Sequence, residues 1–472
     1  MLLGRQNELT ALKEAYESGE STLTVVYGRT GIGKTSLIRG FIKDKTAFYY
    51  SASQSSEKEQ LELLKKEFQR YGITGNESED RVMAESEYAL EEGDMYGEYA
   101  HLFKNINKLD CEVKLVIIEE FQNIVKYNKE FMTVISDMVK GKFFDEKVCV
   151  IVTSSSISWV ENSMVSSIGH SALSISSFLK LKELSFVDIV RLYGRYSVLD
   201  SMVIYAITGG VPGYLKNFSD RISLKENIIK NILTPGSSMR SEGADYIKEE
   251  LRETSLYNTI LYCIANGENK LNELHAHTGF GRDKISVYLK NLIEREIVEK
   301  IYSYDIGGKE HTKKGLYRIK SGYTEFWFRY IYGNESQLEI LDREEFYERY
   351  IAPTIYEFAS ETFVKVGTEF IELLDSVDRL EIKIARRGRW WGKNGDIDII
   401  ACDNDERYLV GKCNWLTDTF TFEMFEELML NVELAGIGSD YIYLFSKDTF
   451  DEELKNFAAD NDNIKLISLK EL

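Results

Sequence analysis

An apolar run, Thr22-Leu23-Thr24-Val25-Val26-Tyr27, leads directly into Gly28-Arg29-Thr30-Gly31-Ile32-Gly33-Lys34-Thr35, and residues 35 to 43 then carry helical character. No other feature limits the fold as strongly. A strand that turns through closely spaced glycines into a helix N-terminus gathers backbone N–H groups around one point, and such a nest binds phosphate. The spacing is G-x-x-x-x-G-K-[S/T], and the strand before it and helix after it are the context that separates this loop from a chance glycine turn. Gly28, Arg29, Thr30, Gly31, Ile32, Gly33, Lys34, Thr35 and Ser36 are therefore the candidate nucleotide-binding residues. Lys34 is placed to reach the β and γ phosphates of ATP, and the Thr35 hydroxyl to ligate Mg2+.

A loop of this kind needs an acid at the end of a neighbouring buried strand. Leu115-Val116-Ile117-Ile118-Glu119-Glu120 supplies it. Glu119 joins Thr35 as a candidate metal-holding residue, and Glu120 is the candidate base that orients or deprotonates the attacking water, acting with Lys34 as the catalytic pair. Aspartate is usual at the first position, so Glu119 alters the metal geometry. A further buried run, Val148 to Val152, ends in Thr153-Ser154-Ser155-Ser156. Ser155 is either a sensor of the γ-phosphate or part of a plain serine loop. Pro212, in Gly209-Gly210-Val211-Pro212, either packs on the nucleotide base or merely forms a turn.

At 472 residues the chain exceeds what one hydrophobic core supports, and three or four domains are expected. Strand, loop, helix and strand in succession predict a P-loop α/β sheet with parallel strands over residues 1–182. Residues 183–252 read as a helical lid. Over 253–335, three short helices (256–265, 271–277 and 284–296) precede a strand pair (298–304 and 315–320), the pattern of a winged helix. Residues 336–472 form a second α/β region, with strands expected at 379–385, 396–401, 408–412 and 441–445 and a helix at 422–434. The five cysteines are odd in number, widely spaced and lack a C-x-x-C pair, so neither a disulfide framework nor a zinc site is suggested, and buried reduced thiols are expected. The charged N-terminus lacks a signal-peptide core and no apolar run reaches membrane-spanning length, so the expected location is the cytoplasm, without a membrane partner.

Several motifs together resemble one family. Gly4-Arg5-Gln6-Asn7-Glu8-Leu9, the phosphate loop, I-I-E-E-F-Q at 117–122, S-S-I-S at 155–158, G-G-V-P-G-Y-L at 209–215, Y-R-I-K at 317–320, F-W-F-R at 326–329 and R-W-W-G-K-N-G-D-I-D-I-I at 389–400 are similar to the archaeal-type AAA ATPases related to signal-transduction ATPases with numerous domains. The resemblance implies an AAA-type P-loop ATPase followed by a C-terminal domain often appended to such proteins. Members often carry an arginine before the strand that corresponds to residues 178–181. Ser174-Ile175-Ser176-Ser177 stands there instead, so slow hydrolysis, or hydrolysis that needs a partner subunit, is expected.

Two regions raise the question of nucleic acid. Arg282, Lys284, Lys290 and Arg295 on the third short helix, with Lys309, Lys313, Lys314, Arg318 and Lys320 in the wing, give residues 253–330 12 Lys plus Arg against 10 Asp plus Glu. That small excess, within a chain of net charge −19, is compatible with DNA binding or with a packing module. In the last region, Asp396-Ile397-Asp398 followed by Leu409-Val410-Gly411-Lys412-Cys413-Asn414 has the layout of a restriction-endonuclease-like PD-(D/E)XK core. Such a core needs a metal-binding E-x-K where this chain has Lys412 and Asn414. A cation in the metal position opposes metal binding, which marks Asp396, Asp398, Lys412 and Asn414 as a degenerate nuclease site. Glu357 is a further acid in reach, and Lys393, Glu423 or Glu426 are the residues through which a migrated site would restore cleavage. Arg386, Arg387, Arg389, Trp390 and Trp391 either grip nucleic acid or belong to the core and its ion pairs. His275-Ala276-His277 has a spacing that splits the imidazoles onto different helix faces, against a shared metal. The expected function is an ATP-dependent switch controlling the winged helix and an inactive nuclease-like domain. An ATP-dependent nuclease, a DNA-binding regulator, a protein partner and self-association are the alternatives.

Overall fold

The structure is a computed structural model that describes residues 4–73, 94–240, 242, 254–304, 315–393 and 395–472. It divides into two compact units, residues 1–183 with 211–213, and residues 184–210 with 214–472.

The first unit is built on five parallel strands: β1 (Thr22–Tyr27), β2 (Ala47–Ser51), β3 (Val113–Glu119), β4 (Lys147–Ser154) and β5 (Ser177–Lys180), in the order β2-β3-β4-β1-β5. The near-continuous apolar character of β1, β3 and β4 follows from burial on both faces. Alternate residues part to opposite sides. Val116, Ile118, Val150 and Val152 enter one cluster with Leu64, Phe68, Phe103 and Phe131, from helices Glu57–Arg70, Met95–Lys104 and Glu130–Val139. Leu115, Ile117, Cys149 and Ile151 enter another with Leu12, Leu37 and Phe41, from helices Gln6–Glu17 and Lys34–Ile42. Because the strands are parallel, β1 and β3 deliver Gly28 and Glu119 to the same edge of the sheet, where ligands of such folds bind.

The second unit opens with helices Phe186–Leu192, Val198–Thr208 and Leu224–Ile228. Helices Thr254–Ala265, Leu271–Thr278 and Arg282–Glu294 follow, each within two residues of its expected bounds. The antiparallel strands β6 (Val298–Tyr302) and β7 (Gly315–Ile319) come next. Lys309, Lys313 and Lys314 lie outside the described residues.

The C-terminal sheet contains β8 (Arg386–Trp391), β9 (Asp396–Cys402), β10 (Tyr408–Asn414), β12 (Tyr441–Ser446) and β14 (Ile464–Ser468), in the order β14-β12-β10-β9-β8. β8 and β10 run antiparallel to β9, while β10, β12 and β14 are parallel. The short β11 (Thr419–Phe420) and β13 (Thr449–Phe450) pair beside it. Helix Phe422–Ala435 packs Phe425, Leu428 and Val432 against Ile397, Ile400 and Val410. Helix Ser360–Ser376 approaches β9 and β10 so closely at Gly367 that a Cβ there would stand 3.1 Å from the Ile399 side chain and 3.2 Å from Cys413 Sγ.

The strand expected at 379–385 does not form, and the sheet begins at Arg386. Local polar bonds outcompete the alternating pattern there: Arg379 N–H donates to Leu374 O and Lys383 Nζ to Asp375 O, fastening the segment to the end of helix Ser360–Ser376. No helix among the described residues is long and apolar enough to cross a membrane.

Gly209 and Gly210 end helix Val198–Thr208 with φ of +60° and +78°. A Cβ on Gly210 would stand 2.3 Å from Leu184 O, and Leu184 N–H already donates to Gly210 O at 2.9 Å. Gly210→Ala combines left-handed backbone strain with a clash against backbone, and is expected to cost at least about 2 kcal/mol. A fall in the melting temperature by circular dichroism checks it, and an unchanged value would show that the turn is not fixed in this form.

Candidate functional site

The phosphate loop curves because Gly31 and Gly33 adopt φ of +80° and +101°, which side chains rarely tolerate. Its carbonyls are engaged by other groups. Lys34 Nζ donates to Gly28 O at 2.8 Å and Arg29 O at 3.3 Å, Arg5 Nη2 to Ile32 O at 2.9 Å, and Gly213 N–H to Gly31 O at 2.8 Å. Lys34 is buried and its Nζ stands 3.8 Å from Glu120 Oε1. Burial pushes the Lys34 ammonium down from its usual range, opposed by the charges of Glu120 and Glu119. Thr30 and Ser36 are exposed, and Arg29 half-buried, at the mouth of the loop.

β3 brings Glu119 to Thr35. The Thr35 hydroxyl donates to Glu119 Oε2 at 3.2 Å, and the Tyr49 hydroxyl, from the adjacent β2, donates to the same oxygen at 2.7 Å. Glu119 Oε1 is buried and has no hydrogen-bond partner among the described residues. An orphaned carboxylate oxygen beside a hydroxyl fits the oxygen donor set of Mg2+, so Thr35 and Glu119 suit that ion. Burial and the Glu119 carboxylate together raise the Tyr49 hydroxyl far above its ordinary range, so it remains a donor.

Glu120 ends the strand in the left-handed region, φ +53°, which turns its side chain off the line of β3. Its Oε2 accepts from Ser155 Oγ at 2.5 Å, Ser155 N–H at 3.0 Å and Gln122 Nε2 at 2.6 Å. Ser155 thus meets Glu120, the candidate base. Pro212 lies against the loop backbone, its Cγ 3.8 Å from where a Cβ on Gly33 would stand.

Three contributors escaped the sequence reading: Arg5, Tyr49 and Gln122. Arg5 is buried, with Nη2 also donating to Lys182 O at 2.7 Å and Nη1 to Glu8 Oε1 at 2.9 Å. Its position in the G-R-Q-N-E-L opening was the only signal. Nothing in the sequence alone joins residue 5 to residue 32.

In the second unit, Asp396, Asp398 and Lys412 come together on β9 and β10. Lys412 Nζ lies 3.0 Å from Asp396 Oδ1 and 3.5 Å from Asp398 Oδ2. The Arg389 guanidinium reaches Asp398 Oδ1 at 3.3 Å and Glu361 Oε2 at 2.6 Å, and Cys413 N–H donates to Asp398 Oδ2 at 2.9 Å. Burial pushes the Asp398 carboxyl up, against the pull of Lys412, while Lys412 holds Asp396 below its usual range against burial. Asn414 points its amide into the 414–419 turn, bonding Thr417 Oγ1 at 2.8 Å and Thr419 O at 3.0 Å. The acid supplied by the preceding helix is Glu361 rather than Glu357, which pairs with Arg329 at 2.8 Å. Glu423 and Glu426 are exposed on helix Phe422–Ala435.

The basic residues weighed for nucleic acid are mostly engaged. Trp390 is core. Arg387 pairs with Glu372, and Arg386 lies over the Tyr304 ring at 5.9 Å. Arg318 pairs with Glu299 at 2.6 Å, Lys320 with Glu296 at 3.2 Å and Lys290 with Glu294 at 3.8 Å. Arg282 Nε donates to Asn272 at 3.0 Å, and Lys284 lies 5.2 Å from the Phe280 ring centroid.

Residues 2–218 match the model of an ATPase domain predominantly from Archaea, and residues 327–430 match a family described as archaeal and bacterial proteins of unknown function. An uncharacterized protein of Methanocaldococcus jannaschii is 30% identical over 446 residues, covering 93% of this chain and 94% of that one. Among solved structures, a Walker-type ATPase of Pyrococcus abyssi is similar at 16% identity with a TM-score of 0.49, covering 70% of this chain and 96% of that chain. The ORC2 protein of Aeropyrum pernix, in complexes with ADPNP and ADP, is similar at 14% identity with a TM-score of 0.40, covering 71% and 94%. The chain belongs to the archaeal-type P-loop ATPases, with an N-terminal ATPase domain followed by a C-terminal domain of a family of unknown function.

Proposed function

We propose that this ATPase is a slow nucleotide-dependent switch, in which residues 1–182 bind ATP with Mg2+ and the state of that site is passed to a helical lid (183–252), a winged helix (253–335) and a nuclease-like domain that does not cleave (336–472). The observation that carries this reading is the hydrogen bond from Gly213 N–H to Gly31 O. Val211–Gly213 rides on the phosphate loop, while the chain on both sides of it, up to Gly210 and from Tyr214, belongs to the second unit. A change of loop conformation on phosphate binding therefore pulls on a segment tethered at both ends. Movement of the loop becomes a signal.

In hydrolysis, the N–H groups of the loop and the Lys34 ammonium hold and neutralise the β and γ phosphates, and Glu120 takes the proton of the attacking water. Thr35 and Glu119 would hold Mg2+, which supplies further neutralisation of phosphate charge. Tyr49 keeps the long Glu119 side chain directed at Thr35. Three hydrogen bonds from Ser155 and Gln122 occupy Glu120 Oε2 and leave that oxygen little room to accept from a water, which supports slow turnover. In the C-terminal domain Lys412 and Arg389 occupy the carboxylates that a nuclease would present to a metal, which supports loss of cleavage.

Lys34→Ala is expected to abolish ATP binding measured by calorimetry. Unchanged affinity would sink the phosphate-loop assignment. Gln122→Ala, which frees one lone pair of Glu120, is expected to raise kcat several-fold with little change in ATP affinity. A fall in kcat would mean that Gln122 positions the base instead of restraining it. Plasmid incubated with the natural chain, Mg2+ and ATP should remain intact, whereas K412E/N414K, which restores an acid and a lysine to the two altered positions, is expected to gain Mn2+ binding. Cleavage by the natural chain that disappears in Asp398→Ala would overturn the inactive reading.

A further inference from the structure

Away from both sites, the second unit brings together three side chains of different chemistry. Cys263 lies near the end of helix Thr254–Ala265, Glu268 in the turn that follows, and His277 on helix Leu271–Thr278. One ligand atom from each lies within 4.8 Å of the other two. Cys263 is buried, and His277 Nδ1 stands 2.6 Å from Glu268 Oε1. The second carboxylate oxygen, Glu268 Oε2, is buried without a hydrogen-bond partner among the described residues. A buried carboxylate oxygen left unpaired is costly, and it points to a ligand that would satisfy it.

The turn presets the geometry. Glu268 N–H and Asn266 N–H both donate to Cys263 O, at 3.0 and 3.1 Å, so the carboxylate is placed from the cysteine by backbone bonds. His275, two residues before His277, is directed elsewhere, its Nδ1 2.7 Å from Phe280 O. The imidazoles of the His-Ala-His segment are therefore parted, as their spacing implied, and the groups that His277 meets come from the neighbouring helix and turn. A pair invisible to local spacing is assembled by the fold.

We propose that Cys263, Glu268 and His277 bind a divalent metal ion of the Zn2+ class, leaving a fourth position open to water or to a ligand from a partner. A thiolate, an imidazole and a carboxylate suit Zn2+ or Co2+, whereas Mg2+ and Ca2+ favour all-oxygen sets. The imidazole is half exposed, which gives the ion an entry path. A cysteine holds such an ion only as the thiolate, so the ion must displace the Cys263 proton. Binding then releases a proton and strengthens as pH rises. Bound metal joins the end of one helix to the next and braces the region proposed above as a winged helix.

Co2+ titrated into the intact chain without nucleotide tests this directly. One equivalent is expected to produce the near-ultraviolet charge-transfer band of a thiolate ligand and the strong visible absorption of a four-coordinate ion, with Zn2+ displacing both. Cys263→Ser should remove the charge-transfer band, and His277→Gln, at a half-exposed position that spares the core, should weaken binding by roughly 10-fold or more. Cys111→Ser, in the other unit, should leave the spectrum unchanged. ATP binding and far-ultraviolet circular dichroism report that each variant is folded. A thiolate band that persists in Cys263→Ser, a spectrum without such a band in the natural chain, or full affinity in His277→Gln would each overturn the proposal.

Discussion

The left-handed backbone at Gly31 and Gly33 is the constraint on which the nucleotide site depends. With those two φ values the chain reverses in a few residues and begins helix Lys34–Ile42 at once, so that Lys34 and Thr35 stand in its first turn. The other half of the constraint is what the loop carbonyls do. Those of Gly28, Arg29, Gly31 and Ile32 accept from Lys34, Arg5 and Gly213, which directs them away from an incoming anion. A nest of donors is useful only if its acceptors face elsewhere. Arg5 matters for that reason, since a guanidinium with several fixed donors can hold Ile32 O and Lys182 O together, and a lysine could not do so with the same geometry.

The two units bury carboxylates in opposite ways. In the first, Glu119 shares Oε2 with two hydroxyl donors and leaves Oε1 without a hydrogen-bond partner among the described residues, a high-energy arrangement that a cation would relieve. In the second, Asp398 is met by Lys412, Arg389 and a backbone N–H, so its charge is already compensated. A divalent ion arriving there would have to displace two cations that are held in partly dry surroundings, where removing one member of a pair is costly. The same functional group, a buried carboxylate, therefore signals a cation site in one unit and an internal brace in the other. What distinguishes them is the inventory of donors around each oxygen.

Much of this was legible in the sequence because periodicity and spacing are local. Continuous apolar runs ending at Gly28 and Glu119 announce doubly covered parallel strands, and the three short helices after residue 253 were bounded by their turn residues. The meeting of Thr35 with Glu119 was legible because a phosphate loop carries a known demand for an acid. What escapes the sequence is long-range and unpatterned: Arg5 beneath the loop, Tyr49 on a neighbouring strand, Glu361 four residues beyond Glu357. Residues 379–385 failed for another reason. Their alternation is that of a strand, but Lys383 and Arg379 found backbone carbonyls at a helix end before a sheet neighbour found them. At the C-terminal site the sequence singled out Asp396, Asp398 and Lys412, yet only the fold shows that Lys412 is paired with the two acids it approaches.

The charge pattern bears on the partner. An exposed ion pair such as Lys320 with Glu296 contributes only about 0–1 kcal/mol, so pairing by itself does not prevent a lysine from exchanging a carboxylate for a phosphate. The released carboxylate then remains at the interface and repels the same phosphate. Each such exchange along β6 and β7 carries that penalty, because Arg318 and Lys320 are matched by Glu299 and Glu296 on the neighbouring strand or just before it. A chain of net charge −19 adds long-range repulsion to the local one. Among the described residues of β6 and β7, electrostatics therefore oppose the docking of a polyanion.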